Sequence, residues 1–194
     1  MISDDQIIGG CLDGKRKAYN LLYRKYASLM LGICMRYCRD RAEAEDVLQD
    51  GFIKVFTNIS RYRNEGSFEG WIRRIMVNTA IDSYQKNLKH SHYTSMEEIE
   101  DHTLLPGIND DDPLIPESRE IPQEKLMEFI QQLPAGYRMV FNMYAIEGYS
   151  HKDIADRLNI SENTSKTQLM KARRQLRKEL TEYAIKYDHN IIIQ

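Results

Sequence analysis

The chain has 194 residues, of which 42% are hydrophobic and 29% charged, as in an ordinary globular protein. No apolar run approaches the ~20 residues that a membrane-spanning helix needs. The acidic first residues are not followed by a signal-peptide core. We therefore expect a cytoplasmic protein with no membrane insertion. The three cysteines are an odd number without framework spacing, which also suits a reducing compartment.

The net charge of −2 hides a strong segregation of charge along the chain. Residues 1–90 hold 15 Lys and Arg against 11 Asp and Glu, and residues 122–194 hold 11 against 9. Residues 91–121 hold one Arg against nine acids. The near-neutral average therefore does not argue against a nucleic-acid partner, because the charge of the local surface decides such binding.

Residues 1–89 are predicted to form an all-helical domain. Apolar residues at helical spacing predict helices over about 4–11, 15–39, 42–59 and 68–89. Asp40 and Ser67 are good N-caps for the last two. Residues 61–66 break the periodicity and are predicted to form a loop.

Residues 90–121 have the composition of a flexible linker. They contain three prolines and the run Asp110-Asp111-Asp112, with few large apolar side chains to offset the entropy of ordering. Residues 122–194 are predicted to form a second helical domain, beginning with helices over about 123–133 and 135–147. The predicted fold class is thus all-α, with two small helical domains joined by an acidic linker.

The most informative stretch is residues 150–178, which are predicted to form two helices joined by a tight turn. Ser150 caps a short helix, residues 158–160 make the turn, and Ser161 caps a longer helix. From Lys166 to Lys178 there are six basic residues and no acid. Such a helix can enter the major groove between two phosphate backbones, although a charged, solvated amphipathic helix is the simpler alternative.

The periodicity of the longer helix separates two faces. Leu169, Ala172, Leu176 and Leu180 recur at three or four residues and should face the protein. The side chains on the opposite face are predicted to contact DNA, the early ones at base edges and the later basic ones at phosphates. These are Asn163, Lys166, Thr167, Met170, Lys171 and Arg174.

Two blocks of sequence together resemble a known family. Residues 44–56, AEDVLQDGFIKVF, and 68–80, FEGWIRRIMVNTA, are similar to sigma region 2. Residues 133–141, LPAGYRMVF, with residues 150–174, are similar to sigma region 4. The chain resembles an extracytoplasmic-function (ECF) sigma factor of the sigma-70 family, the minimal two-domain type. The resemblance implies an RNA polymerase sigma factor that binds core polymerase and recognises the −10 and −35 promoter elements.

The region 2 resemblance implies two sites. Asp46, Gln49 and Asp50 would dock on a coiled coil of the polymerase largest subunit, and their spacing places them on one helix face.

A loop and the following helix would open the −10 element and hold a flipped base. The matching residues are Arg61, Arg63, Asn64, Phe68, Trp71, Arg73, Arg74 and Asn78. Trp71 could equally be a core anchor. Gly70 stands where primary sigma factors have the first of two adjacent aromatics, which suggests weaker melting and a stricter promoter requirement.

The region 4 resemblance assigns the −35 element to the helix that follows Ser161. The acidic linker would thread the channel that later carries nascent RNA, imitating phosphate charge, unless it is only a solubilising spacer. An anti-sigma factor that covers the polymerase- and DNA-binding faces is a further expected partner.

Other functions have weaker support. A free-standing helix-turn-helix regulator would use the same DNA-binding helices without polymerase. An enzyme is disfavoured because we find no nucleophile motif, Gly-rich phosphate loop or zinc spacing. No cofactor is therefore expected. Cys34 and Cys38 lie one helical turn apart and are predicted to be small buried residues.

Overall fold

The computed structural model describes residues 2–91 and 121–192. The chain divides into two compact units, Met1–Asn87 and Leu88–Gln194. Within the described ranges the regular structure is helical, with no β-strand, which confirms the predicted all-α class. The predicted acidic linker falls almost wholly outside these ranges.

The first unit contains four α-helices and a short 3₁₀ turn. They are α1 (Asp4–Leu12), α2 (Arg16–Tyr37), α3 (Arg41–Asn58), the 3₁₀ turn Ile59–Arg61, and α4, which starts in this unit and spans Phe68–Ser91. Both predicted N-caps are confirmed. The Asp40 carboxylate accepts a hydrogen bond from the Glu43 amide at 2.9 Å, and the Ser67 hydroxyl accepts one from the Gly70 amide at 3.1 Å.

The core of the first unit is formed by large side chains from α2, α3 and α4. Leu22, Met30, Val55, Ile72 and Met76 are all fully buried. Each contributes about 1.5–3 kcal/mol through removal of apolar surface from water. The three cysteines are buried free thiols, as predicted for Cys34 and Cys38.

Gly51 allows α3 and α4 to pack closely. A Cβ atom at this position would overlap the sulfur of buried Met76. The absence of a side chain therefore sets the distance between the helix that carries Asp46, Gln49 and Asp50 and the helix that carries Trp71.

The second unit contains α5 (Gln123–Gln132), α6 (Ala135–Phe141), a π-helical turn (Asn142–Ile146), α7 (His151–Leu158) and α8 (Glu162–Ile192). The helix predicted over about 135–147 is present, but its second half is π-helical instead of α-helical. There the Glu147 amide donates to the Asn142 carbonyl, five residues back, at 3.0 Å. The wider turn places Tyr144 beside α7, which matters for the site described below.

Local capping explains how α7 and α8 begin. The Ser150 hydroxyl accepts a hydrogen bond from the Asp153 amide, and the Asp153 carboxylate accepts one from the Ser150 amide. Ser161 caps α8 by accepting from the Thr164 amide at 2.9 Å. Between the helices Asn159 adopts φ +56°, a left-handed conformation that asparagine tolerates better than most residues.

The predicted apolar stripes of α7 and α8 are confirmed as the core between them. Ile154 and Ala172 are fully buried, and Leu158, Leu169 and Leu176 are nearly so. In the part of the chain that the structure describes, no helix has the length and hydropathy required to cross a bilayer.

Candidate nucleic-acid and protein interfaces

The exposed face of α3 carries the three residues predicted to bind polymerase. Asp46, Gln49 and Asp50 are exposed, whereas Val47 and Leu48 between them are buried. Ile53 shares this face and is 62% exposed, so it adds apolar surface beside the polar groups. Sequence reasoning missed Ile53, although its spacing of four from Gln49 and three from Asp50 already placed it on the polar side.

A groove between α2 and α3 continues this face. Its walls include Tyr23, Leu31, Leu48 and Gln49. Tyr23 fits the helical apolar pattern of α2, yet it is 41% exposed, with its ring 4.8 Å from that of Phe52. The polar face of α3 is thus bordered by apolar surface, a combination found in protein–protein interfaces.

Four aromatic rings meet at the start of α4, and we call them the aromatic cluster: Tyr26, Tyr62, Phe68 and Trp71. The Phe68 and Trp71 rings are stacked, with centroids 5.7 Å apart and planes inclined by 12°. Tyr62 lies 5.0 Å from Phe68 and 5.6 Å from Trp71, and Tyr26 contacts Phe68 edge-on at 5.8 Å. Aromatic pairs in these geometries stabilise one another beyond simple burial.

The placement of Phe68 corrects one prediction. We expected Phe68 and Trp71 both to offer flat apolar surface to unstacked bases, but Phe68 is only 3% exposed. Trp71 is half-buried, and its ring stacks on that of Phe68. Phe68 can therefore position Trp71 but cannot itself receive a base in this structure.

The predicted loop at residues 61–66 has a defined conformation. Asn64 adopts φ +58° and Gly66 φ +109°, both in the left-handed region. The Tyr62 hydroxyl donates to the Gly66 carbonyl at 2.7 Å and lies 3.1 Å from Oδ1 of Asn64. Sequence reasoning missed Tyr62, which closes the loop and joins it to the aromatic cluster.

The predicted cationic and amide groups surround this loop and the first turns of α4. Arg61, Arg63, Asn64 and Arg74 are exposed, whereas Arg73 and Asn78 are half-buried on α4. The structure thus brings guanidinium groups, an exposed amide and an indole ring to one region of the first unit. Such a surface can hold a single strand by its phosphates and stack an unpaired base.

Asp4 links α1 to the aromatic cluster. Its carboxylate accepts hydrogen bonds from Lys25 and from the Tyr26 hydroxyl, both at 2.7 Å. Although partial burial opposes it, these hydrogen bonds lower the pKa of Asp4 below its ordinary value. Burial, together with the hydrogen bond to Asp4, raises the pKa of Tyr26. The hydrogen bond to Asp4 holds Tyr26 where its ring contacts Phe68 edge-on.

The exposed face of α8 carries the six residues predicted to contact duplex DNA. Asn163, Lys166 and Arg174 are exposed, whereas Thr167, Met170 and Lys171 are half-buried. All six lie within twelve residues of one helix and opposite its buried stripe. Because their positions follow from the helical repeat alone, this is the part of the candidate site that the sequence predicts most directly.

A polar contact behind this face was not predicted. The hydroxyl of Ser165 is hydrogen-bonded to Nδ1 of His151, the first residue of α7, at 2.9 Å. Ser165 is fully buried. The His151 ring stacks on Tyr144, with centroids 4.5 Å apart and planes inclined by 22°. The guanidinium of Arg173 lies 5.9 Å from the centre of the Tyr144 ring.

The molecule is thus an all-helical protein whose two units each carry an exposed face with basic residues. Among the residues that the structure describes, no group of three or more His, Cys, Asp and Glu side chains is arranged to hold a metal ion.

Comparison with known proteins identifies the family. Residues 22–89 match the family model for sigma-70 region 2, and residues 123–176 match that for sigma-70 region 4. The RNA polymerase sigma-H factor of Pseudomonas aeruginosa is 29% identical over 184 residues, covering 91% of this chain and 93% of that protein. The ECF RNA polymerase sigma-E factor of Haemophilus influenzae is 27% identical, covering 92% and 96%.

One solved structure with a related chain is the sigma factor RpoE of Bartonella quintana in complex with the anti-sigma factor NepR. It has a TM-score of 0.48 and 16% identity, and the match covers 85% of this chain and 98% of that one. The region 2 match precedes the region 4 match along the chain, and the two relatives align over about nine-tenths of it. The chain belongs to the sigma-70 family, in its extracytoplasmic-function group.

Proposed function

We propose that this protein is the sigma subunit that directs core RNA polymerase to a set of promoters and opens them. The observation that carries the proposal is that one chain has two different surfaces suited to DNA, which lie in its region 2 and region 4 segments. The aromatic cluster with its arginines suits a melted −10 element, and the basic face of α8 suits a duplex −35 element. The protein catalyses no reaction itself and acts in the cytoplasm, where the polymerase is.

Polymerase binding is assigned to the exposed face of α3. Asp46, Gln49 and Asp50 supply polar groups, and Ile53 supplies an apolar contact at the end of the face. The groove between α2 and α3 offers room for a partner side chain beside Gln49. This combination fits a mixed polar and apolar interface with the coiled coil of the polymerase largest subunit.

Promoter opening is assigned to the loop at residues 61–66 and the first turns of α4. The left-handed loop closed by Tyr62 gives a rigid rim, and Trp71 gives the surface on which an unpaired base can stack. Arg61, Arg63 and Arg74 would hold the strand by its phosphates, with Arg73 and Asn78 beside them on α4.

Regulation by an anti-sigma factor is the expected control of these surfaces. The exposed apolar side chains beside the polar face of α3 would be covered by such a protein in the inactive state. The acidic segment 91–121 would follow the RNA channel of the polymerase once core is bound.

The decisive experiment is transcription in vitro with purified core polymerase, followed by mapping of start sites on genomic fragments. We expect start sites that share two sequence elements, and no specific transcript from core alone. Specific binding to duplex DNA without core, together with failure to bind core, would instead identify a free-standing regulator.

The polymerase interface can be tested separately. Asp46→Ala and Asp50→Ala should each weaken binding to core by about tenfold, which corresponds to ~1.4 kcal/mol. The matched control is Asp13→Ala, an exposed acid at the end of α1 whose ion pair with Lys15 is solvent-exposed. Equal effects of all three variants would exclude a specific role for α3.

A further inference from the structure

The hydrogen bond between His151 and Ser165 lies behind the DNA-binding face of α8, and helix packing alone does not require it. Ser165 is completely buried, on the same stripe of α8 as the apolar residues Leu169 and Ala172. A buried hydroxyl is costly unless it is hydrogen-bonded, and its partner here is a single side chain, His151, at 2.9 Å. The two residues are separated by 14 positions and belong to different helices.

The imidazole of His151 is itself held in place. One of its faces stacks on Tyr144, which is presented by the π-helical turn after α6. Tyr144 also lies near the guanidinium of Arg173, two turns further along α8 from Ser165. The stacked pair of rings is therefore connected to α8 at two points, so it can fix both the rotation of α8 about its axis and its tilt.

Other contacts between α7 and α8 cannot fix the rotation and tilt of α8 equally well. They involve apolar side chains such as Ile154 and Leu158, and apolar contacts are non-directional. A hydrogen bond, in contrast, tolerates only a few tenths of an ångström before it weakens. The pair is thus a directional element beside these apolar contacts.

Small rotations of α8 would matter for reading bases. Lys166 and Thr167 directly follow Ser165 in the sequence, and their side chains extend about 5–6 Å from the helix axis. A rotation of about 10° moves such side chains by ~1 Å, which is enough to break a paired contact to a base edge. Contacts to phosphates are less sensitive, because they depend mainly on charge.

We infer that His151 and Ser165 form a positioning pair that sets the orientation of α8 and thereby the sharpness of −35 recognition. This inference rests on the proposed function, since it concerns how α8 reads a promoter. Neither residue is expected to touch DNA. Their effect should therefore appear in the discrimination between sequences and not in the general affinity for DNA.

The test uses holoenzyme reconstituted from core polymerase and the full chain. The measured quantity is the specificity ratio, which is the affinity for a mapped promoter divided by that for the same promoter with a scrambled −35 element. Ser165→Ala removes the hydroxyl, and His151→Phe keeps a ring that can stack on Tyr144 but removes the nitrogen. We expect each to lower the ratio by about threefold to tenfold while the salt dependence of binding stays unchanged.

Two further variants distinguish positioning from a general structural role. The double variant of His151→Phe with Ser165→Ala should lower the ratio no more than either single change, because both remove the same hydrogen bond. His151→Asn retains a polar atom near the position of Nδ1 and should preserve more of the ratio than His151→Phe. The reverse order would assign the effect to ring stacking and overturn the inference.

The control for stability is Leu180→Ala, which opens a cavity in the buried stripe of α8 beyond the region that carries the pair. It should lower the melting temperature of the protein and leave the specificity ratio unchanged. An equal loss of the ratio in this control, or a wild-type ratio in Ser165→Ala and His151→Phe, would overturn the inference. A wild-type holoenzyme without −35 discrimination would instead contradict the proposed function, so the two failures can be told apart.

Discussion

The two candidate DNA surfaces of this sigma factor are built in different ways. In the first unit the polar and aromatic groups come from a short loop and the start of α4, and their placement depends on the Tyr26 ring of α2 and the Asp4 carboxylate of α1. In the second unit six side chains from twelve consecutive residues of α8 form the surface. The first surface is shaped by tertiary contacts, whereas the second is shaped by the helical repeat.

This difference matches the two states of DNA that the surfaces are proposed to bind. A melted strand has no regular geometry, so the protein must supply a rigid shape, here an indole held by Phe68 and Tyr62. Duplex DNA is already regular, so a regular helix with long polar side chains is sufficient if its orientation is fixed. We therefore expect substitutions in the first surface to affect promoter opening and those in the second to affect promoter choice.

The largest effect is expected from Trp71→Ala. Stacking of a base on an aromatic side chain contributes about 1–3 kcal/mol, so loss of the indole should reduce open-complex formation by roughly 5- to 150-fold. The measurement is permanganate reactivity of unpaired thymines at the −10 element. Binding of the variant holoenzyme to the −35 element should be nearly unchanged.

Trp71→Phe serves as the matched variant. Phenylalanine retains a flat ring that can rest on Phe68, so it should recover much of the opening. If Trp71→Phe and Trp71→Ala were equally defective in folding and in opening, Trp71 would be a core anchor and not a stacking surface.

A second effect separates base reading from phosphate binding on α8. Lys166→Ala should cost about 1–3 kcal/mol at the −35 element and relax sequence preference if Lys166 reads a base. Arg174→Ala should weaken binding to all sequences alike and reduce the salt slope by about one. Competition binding at several salt concentrations measures both quantities.

Lys178→Ala is the control for a general charge effect. Lys178 has an exposed side chain, lies 4.0 Å from Glu182, and follows the six residues of the DNA-binding face. It should change neither sequence preference nor the salt slope. Equal behaviour of Lys166→Ala and Lys178→Ala would contradict the assignment of Lys166 to base reading.

The contrast between the two surfaces also explains which predictions from sequence were successful. The caps at Asp40, Ser67 and Ser161 were predictable because each depends on residues three positions apart. The burial of Leu169 followed from the 3.6-residue period in the same way. Tertiary features were not predictable from such patterns.

Three features of the candidate sites show what was missed. The burial of Phe68 depends on Tyr26, more than forty residues earlier in the chain. The pairing of His151 with Ser165 crosses a turn whose exact geometry the sequence does not specify. The π-helical turn that presents Tyr144 differs from a regular helix by one residue in its hydrogen bonding, which leaves no periodic signal.

A smaller effect is expected from Asn64, which holds the loop of the first surface. Asn64→Ala places a residue with a Cβ and no local polar group at φ +58°, so we expect a loss of about 1 kcal/mol in unfolding free energy. Asn64→Gly should preserve or slightly improve stability, because glycine adopts this conformation without strain. Urea unfolding measures the difference.

The two Asn64 variants also separate the effect of loop conformation from that of the amide group. If the amide contacts DNA, Asn64→Gly should reduce promoter opening although the loop remains intact. Normal opening by Asn64→Gly would restrict Asn64 to its conformational role.

The smallest predicted effect compares the helix caps of the two units as pH falls. The hydrogen bond from the Glu43 amide lowers the pKa of Asp40, and the hydrogen bond from the Ser150 hydroxyl lowers that of Asp153, both from an ordinary value of 3.8. A carboxylate with a lowered pKa binds protons less readily in the folded state than in the unfolded state. Its stabilising contribution is therefore complete above about pH 4 and is lost as the pH falls through the lower, folded-state pKa.

Asp40→Asn and Asp153→Asn keep a capping side chain without the charge, so each should be slightly less stable than the wild type at pH 6, with the difference shrinking toward pH 3. Thermal unfolding at the two pH values measures this, with the control Asp13→Asn, which removes an exposed carboxylate at the C-terminal end of α1. A difference that stays constant with pH would mean that the caps act through hydrogen-bond geometry alone, in both units equally.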